Sequence, residues 1–173
     1  QEPLRKKESN INSVKDKIKL NLKNPDYKFS FKLIPVRKID SIEKLEILKV
    51  DFNSRFDRLL IKDNTQVVLE VFNEGTKPIY FNIIEINSEG ESYPLLPSDY
   101  CSYNNVETQI EPGERVLFRE CILEFSPPYE KYTIKGFGTK TPINLDFKSR
   151  VNTIYNNEVE GYTSEIIYEI VKE

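Results

Sequence analysis

Apolar and polar residues alternate along the middle of the chain, from Thr65 to Pro97. Turns that contain Gly, at residues 73–76 and 88–90, divide this stretch into three runs. Successive side chains of a strand point to opposite faces of a sheet, so a period of two is typical of strands with one buried face. Short Gly-containing turns between such runs predict an antiparallel meander of three strands, at residues 67–72, 79–84 and 93–96.

Further strands are predicted on both sides of this stretch. Residues 27–34 place aromatic and aliphatic side chains opposite Lys and Ser, which is typical of a half-buried strand. Residues 41–50 fit either a short helix or a strand, and the neighbouring strands favour the strand. Residues 111–114 predict a tight turn, because Pro suits its second position and Gly its third. The other predicted strands are 17–22, 59–61, 116–125, 131–139 and 163–171, with a connector at 51–63 and a long loop at 98–107.

The number and spacing of these runs predict an all-β fold. About seven to nine short strands, with turns spaced roughly 8–12 residues apart, are typical of a sandwich of two antiparallel sheets. The sequence lacks the rhythm of strand and long amphipathic helix that a parallel sheet needs. Residues 1–14 are polar and mixed in charge and predict a flexible tail or linker, so residues 15–173 are expected to form one domain.

Composition limits the partners of this chain. It has 173 residues and a formal net charge of −3, which disfavours non-specific binding to nucleic acids, because such binding depends on neutralising phosphates. No apolar run approaches the ~20 residues of a membrane helix, so we expect no direct insertion into a membrane. The chain has no Met. We therefore expect that it begins after a processing site or is a piece of a longer product, with any anchor outside it.

Histidine is absent from the sequence. Its absence removes Ser-His-Asp and Cys-His catalysis and all imidazole metal sites. An enzyme that relied on carboxylates, such as a glycosidase, would need two Asp or Glu side chains about 5–9.5 Å apart in one cleft. The sequence shows no such pair. We therefore expect a protein that is not an enzyme and that needs no metal and no cofactor.

Two short motifs partly resemble ligand-binding loops, but a structural role is favoured for each. Gly136-Phe137-Gly138 has part of the glycine spacing of a nucleotide-binding loop, but it lies within a predicted strand, where that loop requires a turn and a helix. A bulge or close packing is the favoured interpretation. Asp51-Phe52-Asn53 begins like a calcium-binding loop, but Arg55 occupies a ligand position and no Gly follows. A solvated connector is the favoured interpretation here.

Cys101 and Cys121 are the two cysteines of the chain. A disulfide between them would join the long loop to the strand after the Pro-Gly turn. Such a closure contributes about 3 kcal/mol in the chain-entropy model. Two unrelated free thiols are the alternative, because the sequence does not reveal the compartment. A zinc site with two cysteines and no further Cys or His is disfavoured.

Four tyrosines are the candidate binding residues of this sequence. Tyr93, Tyr100, Tyr103 and Tyr129 fall in predicted loops or at the ends of predicted strands. Clusters of exposed Tyr suit the binding of peptides or glycans, because each ring offers a large rigid surface. The favoured alternative is that these rings cap the core at the ends of the sandwich, with their hydroxyls toward water.

The order of features from residue 56 to residue 145 resembles a known family. The matching pieces are LEVFNEGTKPIYFNIIEINSEGESYPLLP, IEPGERVLF and FSPPYEKYTIKGFGTKTPINL. They are similar to the uncharacterised domain that follows caspase-like peptidase domains in many bacteria. Glu130 replaces the Gly that this family usually has after its Pro-Tyr pair. The resemblance implies an immunoglobulin-like sandwich in a bacterial protein of the periplasm or cell envelope, and it supplies no catalytic residues.

Two functional hypotheses follow. The first is a non-catalytic interaction or accessory domain of a larger bacterial protein, whose partner is another protein or a caspase-like peptidase domain of the same polypeptide. Its contacts would involve a sheet edge or the loop at residues 98–106. The alternative is a carbohydrate-binding or envelope structural module that uses the loop tyrosines. Binding of glycans that is lost with Tyr100→Ala or Tyr103→Ala would separate the two hypotheses.

Overall fold

The computed structural model describes residues 19–38, 44–98, 101, 109–143 and 159–173, and in this part the chain is built from β-strands. A single 3-10 turn, Pro25–Tyr27, precedes the first strand. The all-β prediction is confirmed. The strands are β1 Phe29–Lys38, β2 Leu45–Ile47, β3 Asn53–Arg55, β4 Arg58–Lys62, β5 Gln66–Asn73, β6 Tyr80–Ile86, β7 Ser92–Leu96, β8 Arg115–Leu117, β9 Leu123–Glu124, β10 Lys131–Thr139 and β11 Gly161–Val171.

These strands form two sheets. The five-stranded sheet has the order β2-β1-β5-β8, and β9 also pairs with β5. The six-stranded sheet has the order β3-β4-β11-β10-β6-β7. Pairing is antiparallel except between β4 and β11, which are parallel. Large apolar side chains of both sheets form one cluster between them, so the predicted two-sheet sandwich is confirmed.

Strands that follow one another in the chain are divided between the two sheets. Here β5 pairs with β8 and β9, whereas β11, β10, β6 and β7 lie side by side in the second sheet. Strands β1 and β2 come earlier in the chain and extend the first sheet beyond β5. The predicted tail, residues 1–14, lies outside the described residues.

The predicted meander over residues 65–97 is wrong about the pairing of its first two strands. Strands β6 and β7 form a hairpin as expected, but β5 and β6 belong to different sheets. The chain crosses from one sheet to the other after Asn73, whose side chain is fully buried. Its amide donates to the carbonyl oxygens of Lys77 and Ile110, and its side-chain oxygen accepts from the N–H of Gly75. These bonds stabilise an arch between the sheets in place of a hairpin turn.

Three other predictions differ in detail from the structure. Residues 116–125 form two short strands, β8 and β9, because the chain turns between them while both pair with β5. The predicted connector at 51–63 contains the β3–β4 hairpin. The described part of 41–50 contains strand β2, as favoured. The described part of 17–22 belongs to none of the named strands, and its neighbour Lys23 makes an isolated bridge to β11.

The two glycines of Gly136-Phe137-Gly138 make room for one aromatic ring. A Cβ atom would lie 2.9 Å from the ring of Phe29 at Gly136 and 2.7 Å from it at Gly138. Real Cβ atoms need more distance than this, so the ring occupies the space that any larger residue would take. Close packing, the favoured interpretation of this motif, is confirmed.

Candidate functional site

The sandwich contains a cavity of about 180 Å³ between its two sheets. Its mouth is formed by exposed residues of β9 and of the loop that follows, Glu124, Ser126 and Pro127. Its floor and walls come from β6, β7, β10 and β11. A cavity of this size is large enough for several water molecules or for one small organic molecule. The other lining residues are Glu85, Leu95, Leu123, Phe125, Tyr132, Ile134, Tyr168 and Ile170.

Glu85 is the charged residue on the inner wall of this cavity. Strand β6 alternates, and Phe81 and Ile83 belong to the apolar cluster between the sheets. Glu85 is the next residue in the same alternation, so its carboxyl points toward the interior of the sandwich. The hydroxyl of Tyr168 on β11 donates a hydrogen bond to Oε1 of Glu85. Among the described residues, the side chain that donates a hydrogen bond to the inward-pointing carboxyl of Glu85 is therefore that of Tyr168.

Burial changes the acid–base behaviour of this site. Removal from water disfavours the charged form of a carboxyl, and burial raises the pKa of Glu85 from 4.5 to about 7. Burial also raises the pKa of Tyr132 to about 12, with further contributions from its hydrogen bond to Glu130 and from the charge of Glu85. Near neutral pH, Glu85 is therefore divided between its acid and its carboxylate.

Three aromatic rings stand around the carboxyl. The rings of Tyr132 and Tyr168 are stacked, with centroids 5.1 Å apart and planes 13° from parallel. Phe125 meets Tyr168 edge to face, with centroids 5.0 Å apart. The faces of aromatic rings carry partial negative charge. The three rings therefore pack on one another, and the cavity beside them is lined by both apolar and polar atoms.

The structure describes two of the four predicted binding tyrosines. Tyr93 lies on β7 as the register partner of Glu85, its ring is 48% exposed, and its hydroxyl donates to Glu91. Tyr129 lies in the loop before β10, is 47% exposed, and donates to Asp63. The two therefore hydrogen-bond to different turns of the chain. Tyr100 and Tyr103 lie outside the described residues.

Cys101 and Cys121 are joined in a disulfide, with Cα atoms 5.1 Å apart. That separation lies within the range that disulfides span without backbone movement. Both residues are buried in the cluster between the sheets. The bond ties the described residue of the long loop to the turn between β8 and β9.

Reduction of this disulfide is expected to lower the free energy of unfolding by about 2 kcal/mol. The bond closes a loop with a sequence separation of 20 residues, for which the chain-entropy model gives about 3 kcal/mol, and measured values commonly fall below that model. Urea unfolding with and without a reductant checks this. The double variant Cys101→Ala, Cys121→Ala is the control and should not respond to the reductant. Two free thiols in the untreated protein, counted by alkylation and mass spectrometry, would contradict the bond.

Phe56 is the most exposed large apolar residue in the described part of the chain. It is 92% exposed and lies at the tip of the β3–β4 hairpin, where Arg55 and Arg58 face each other across a two-residue turn. Its φ is +56°. Glycine is the usual residue at such a turn position, because a side chain there is strained. The sequence analysis assigned this stretch to a connector and did not identify Phe56.

The described residues include no group of three or more His, Cys, Asp or Glu that could hold a metal ion. The suspected calcium loop at 51–53 runs directly into β3, which begins at Asn53. In the same described part, no helix has the length and apolar character needed to cross a membrane. No family model matches the chain, and the comparison with curated proteins gives no match.

Proposed function

We propose that this chain is a non-catalytic accessory domain of a larger bacterial protein and that it contacts its partner through the tip of the β3–β4 hairpin. The partner is another protein or a caspase-like peptidase domain of the same polypeptide, as the resemblance of residues 56–145 implies. Phe56 is the observation that carries the proposal. An aromatic ring at the centre of a protein interface contributes much of the binding energy once it is desolvated.

The backbone at Phe56 supports this proposal independently of exposure. A non-Gly residue in the left-handed region costs roughly 1–2 kcal/mol, and the ring of Phe56 recovers little of that cost by packing, since 92% of it is exposed. The guanidinium of Arg55 lies 5.7 Å from the ring centroid. Strand β3, which leads to the tip, is exposed along its whole length and forms one edge of its sheet. Strain of this kind persists in proteins chiefly where it serves a function.

The disulfide supports the periplasmic or envelope location that the resemblance implies. Bacterial disulfides form and persist in the oxidising periplasm and are rare in the cytosol. Cys101 and Cys121 are bonded in the interior of the sandwich. A domain of this kind would therefore act beside a secreted or envelope-associated peptidase.

Phe56→Gly is expected to raise the free energy of unfolding by about 0.5–1 kcal/mol while it weakens partner binding. Glycine relieves the strain at φ +56°, and its greater freedom in the unfolded chain offsets part of that gain. Urea unfolding measures the change. Asn64→Gly is the matched control, because Asn64 has a φ of +64° but Asn tolerates this conformation. A destabilisation by Phe56→Gly would contradict the assignment of strain.

Site-specific photo-crosslinking tests the partner contact. The full-length polypeptide is made in its native cells with a photoreactive phenylalanine at position 56, or at position 93 as the control. Tyr93 is also an exposed aromatic residue, but its strand β7 forms the opposite edge of the sheet from β3. We expect a defined adduct from position 56, mapped by mass spectrometry to the peptidase domain or to a second protein. Equal adducts from both positions, or none from 56, would count against the proposal.

A glycan-binding module remains the alternative, and the exposed rings of Tyr93 and Tyr129 favour it. About half of each ring is open to solvent, and carboxylates hold both hydroxyls in place. Rigid exposed rings are suited to stacking on sugars. Loss of binding to immobilised glycans in Tyr93→Ala and Tyr129→Ala, with binding retained in Phe56→Ala, would favour this alternative.

A further inference from the structure

The cavity between the sheets has the chemistry of a cation site. Glu85 places a carboxyl on its inner wall, and Tyr132, Tyr168 and Phe125 supply aromatic rings around it. A carboxylate attracts an ammonium group through its charge, and aromatic rings beside it offer apolar surface to the carbon chain of such a ligand. The described lining residues include no Lys and no Arg, so no cation of the chain itself lies in the wall.

Further carboxylates lie at the mouth and next to the lining residues in the chain. Glu124 stands at the mouth itself. Glu130 hydrogen-bonds to Tyr132, and Glu91 hydrogen-bonds to Tyr93, the register partner of Glu85. Carboxylates that surround a cleft with low-dielectric walls raise the local concentration of cations. Of these three, Glu124 lines the cavity and adds negative charge at its mouth.

The size of the cavity limits the ligand further. Its volume of about 180 Å³ is slightly larger than the ~150 Å³ of an engineered protein cavity that binds benzene. A primary ammonium ion on a chain of about four carbons has a comparable volume. The apolar wall residues Leu95, Ile134 and Ile170 suit such a chain, because burying it removes apolar surface from water.

We propose that this cavity binds a primary alkylammonium group, with the –NH₃⁺ against the carboxylate of Glu85 and the carbon chain among the aromatic and aliphatic wall residues. The group belongs either to a small free amine or to a lysine side chain of a peptide, and both present the same chemistry to the cavity. Binding requires the carboxylate form of Glu85. Tyr168 retains its place as a hydrogen-bond donor to Oε1, and the other carboxylate oxygen accepts from the ammonium.

Binding should therefore increase with pH. The groups that face Glu85 are Tyr168 on β11, Tyr132 on β10 and Tyr93 on β7, with Glu124 on β9 at the mouth. Hydrogen bonds to carboxylates raise the pKa of Tyr93, and burial raises that of Tyr132 to about 12. Because the pKa of Glu85 is about 7, the fraction of carboxylate rises about tenfold between about pH 6 and about pH 8.

Titration with n-butylammonium chloride, followed by NMR chemical shifts, tests the proposal. We expect a dissociation constant of about 1–10 mM near pH 8, as suits a ligand of this size, and affinity about tenfold weaker near pH 6. Glu85→Gln should weaken binding more than tenfold, because it keeps the shape of the side chain and removes its charge. Glu124→Gln, the matched control at the mouth, should change affinity about twofold or less. 1-Butanol, a neutral ligand of similar shape, should bind more weakly than the amine.

Nα-acetyl-lysine-methylamide distinguishes the two sources of the ammonium group. Affinity at least equal to that of n-butylammonium identifies a lysine side chain as the occupant, and clearly weaker affinity identifies a free amine. Absence of shifts with both amines at about ten times the expected dissociation constant would overturn the proposal. Equal binding of 1-butanol and n-butylammonium, or unchanged binding in Glu85→Gln, would overturn it as well. The Phe56 experiments do not depend on this result.

Discussion

Asn73→Ala is expected to lower the free energy of unfolding by about 2–3 kcal/mol. The wild-type side chain makes three hydrogen bonds: a buried one to the carbonyl oxygen of Ile110, and two partly buried ones, to the carbonyl oxygen of Lys77 and from the N–H of Gly75. Alanine leaves the carbonyl of Lys77 and the N–H of Gly75 without this partner, whereas the carbonyl of Ile110 still accepts from the N–H of Ile79. An unsatisfied polar group that is kept from water costs about 1–3 kcal/mol, and a partly buried group costs less because water reaches it, so a total of about 2–3 kcal/mol is expected.

The backbone of Asn73 explains why the effect should spread beyond its own side chain. Its N–H donates to the carbonyl of Glu114, and its carbonyl accepts from the N–H of Gly113. Gly113 has a φ of +80° and occupies the predicted Pro-Gly turn. The end of β5, the crossover and the turn before β8 are therefore joined at one residue. Loss of Asn73 should loosen both sheets where the chain passes between them.

Asn87→Ala is the matched control for this prediction. Asn87 also caps a turn, and its side-chain oxygen accepts from the N–H groups of Glu89 and Glu91, but these bonds are exposed. Water replaces exposed bonds, so a cost of about 0.5–1 kcal/mol is expected. Urea unfolding compares the variants at fixed pH. Equal costs at the two positions would show that the crossover does not depend on Asn73.

Asn73→Asp separates hydrogen bonding from side-chain volume. Aspartate has nearly the same shape and keeps the acceptor for Gly75, but it turns an anionic oxygen toward the carbonyls of Lys77 and Ile110. We expect it to destabilise the fold at neutral pH at least as much as alanine, because a buried charge then faces two acceptors. A stability close to that of the wild type would contradict the assignment of the amide as donor.

The positions of the strands were predictable because alternation is a local property. Residues 131–139 were predicted and observed as one strand, β10, and most of β5, β6 and β11 follows the predicted runs. The pairing of β5 was not predictable in the same way. A strand that turns back and a strand that crosses to the other sheet present the same alternation, and the difference lies in Asn73 and its distant partner Ile110.

The two candidate sites also differ in how far the sequence could predict them. Glu85 continues the inward alternation of Phe81 and Ile83, so its position on the inner face could have been predicted from the sequence. That it lines a cavity depends on β9 and on the loop after β9, which come from the other sheet. The sequence did not predict a hairpin at Phe56, because the turn lacks the Gly or Asn that usually marks a two-residue hairpin. The same departure from turn chemistry makes the residue notable in the structure.

Each candidate site contains a residue whose position lowers the stability of the fold. Phe56 adopts a strained backbone at an exposed tip, and Glu85 places a carboxyl in the interior. Sequences that specify a fold agree with local rules at most positions, and departures concentrate where function requires them. Variants that restore the local rule should therefore be more stable and bind less well.

Glu85→Gln is expected to raise the free energy of unfolding by about 3 kcal/mol near pH 8 and by less than about 1 kcal/mol near pH 5. The folded pKa, about 7, lies above the ordinary value of 4.5, so the folded state binds this proton more tightly than the unfolded chain. The stability that Glu85 contributes is present below about pH 4.5 and is lost as the pH rises toward 7. Each unit of difference between the folded and the unfolded pKa corresponds to about 1.4 kcal/mol of stability. Glutamine carries no charge at any of these pH values, so the variant does not lose this stability as the pH rises.

Urea unfolding of wild type and variant across this pH range measures the difference directly. Glutamine keeps an oxygen that accepts from the hydroxyl of Tyr168, so the comparison isolates the charge of Glu85 from its hydrogen bond. Glu124→Gln serves as the control, because its side chain is exposed at the mouth of the cavity. A stability difference for Glu85→Gln that stays constant between about pH 5 and about pH 8 would show that Glu85 titrates as an exposed carboxyl does. In that case the cavity would not hold the carboxyl in a low-dielectric setting, and the expected weakening of ammonium binding between about pH 8 and about pH 6 would be lost, because Glu85 would be a carboxylate throughout that range.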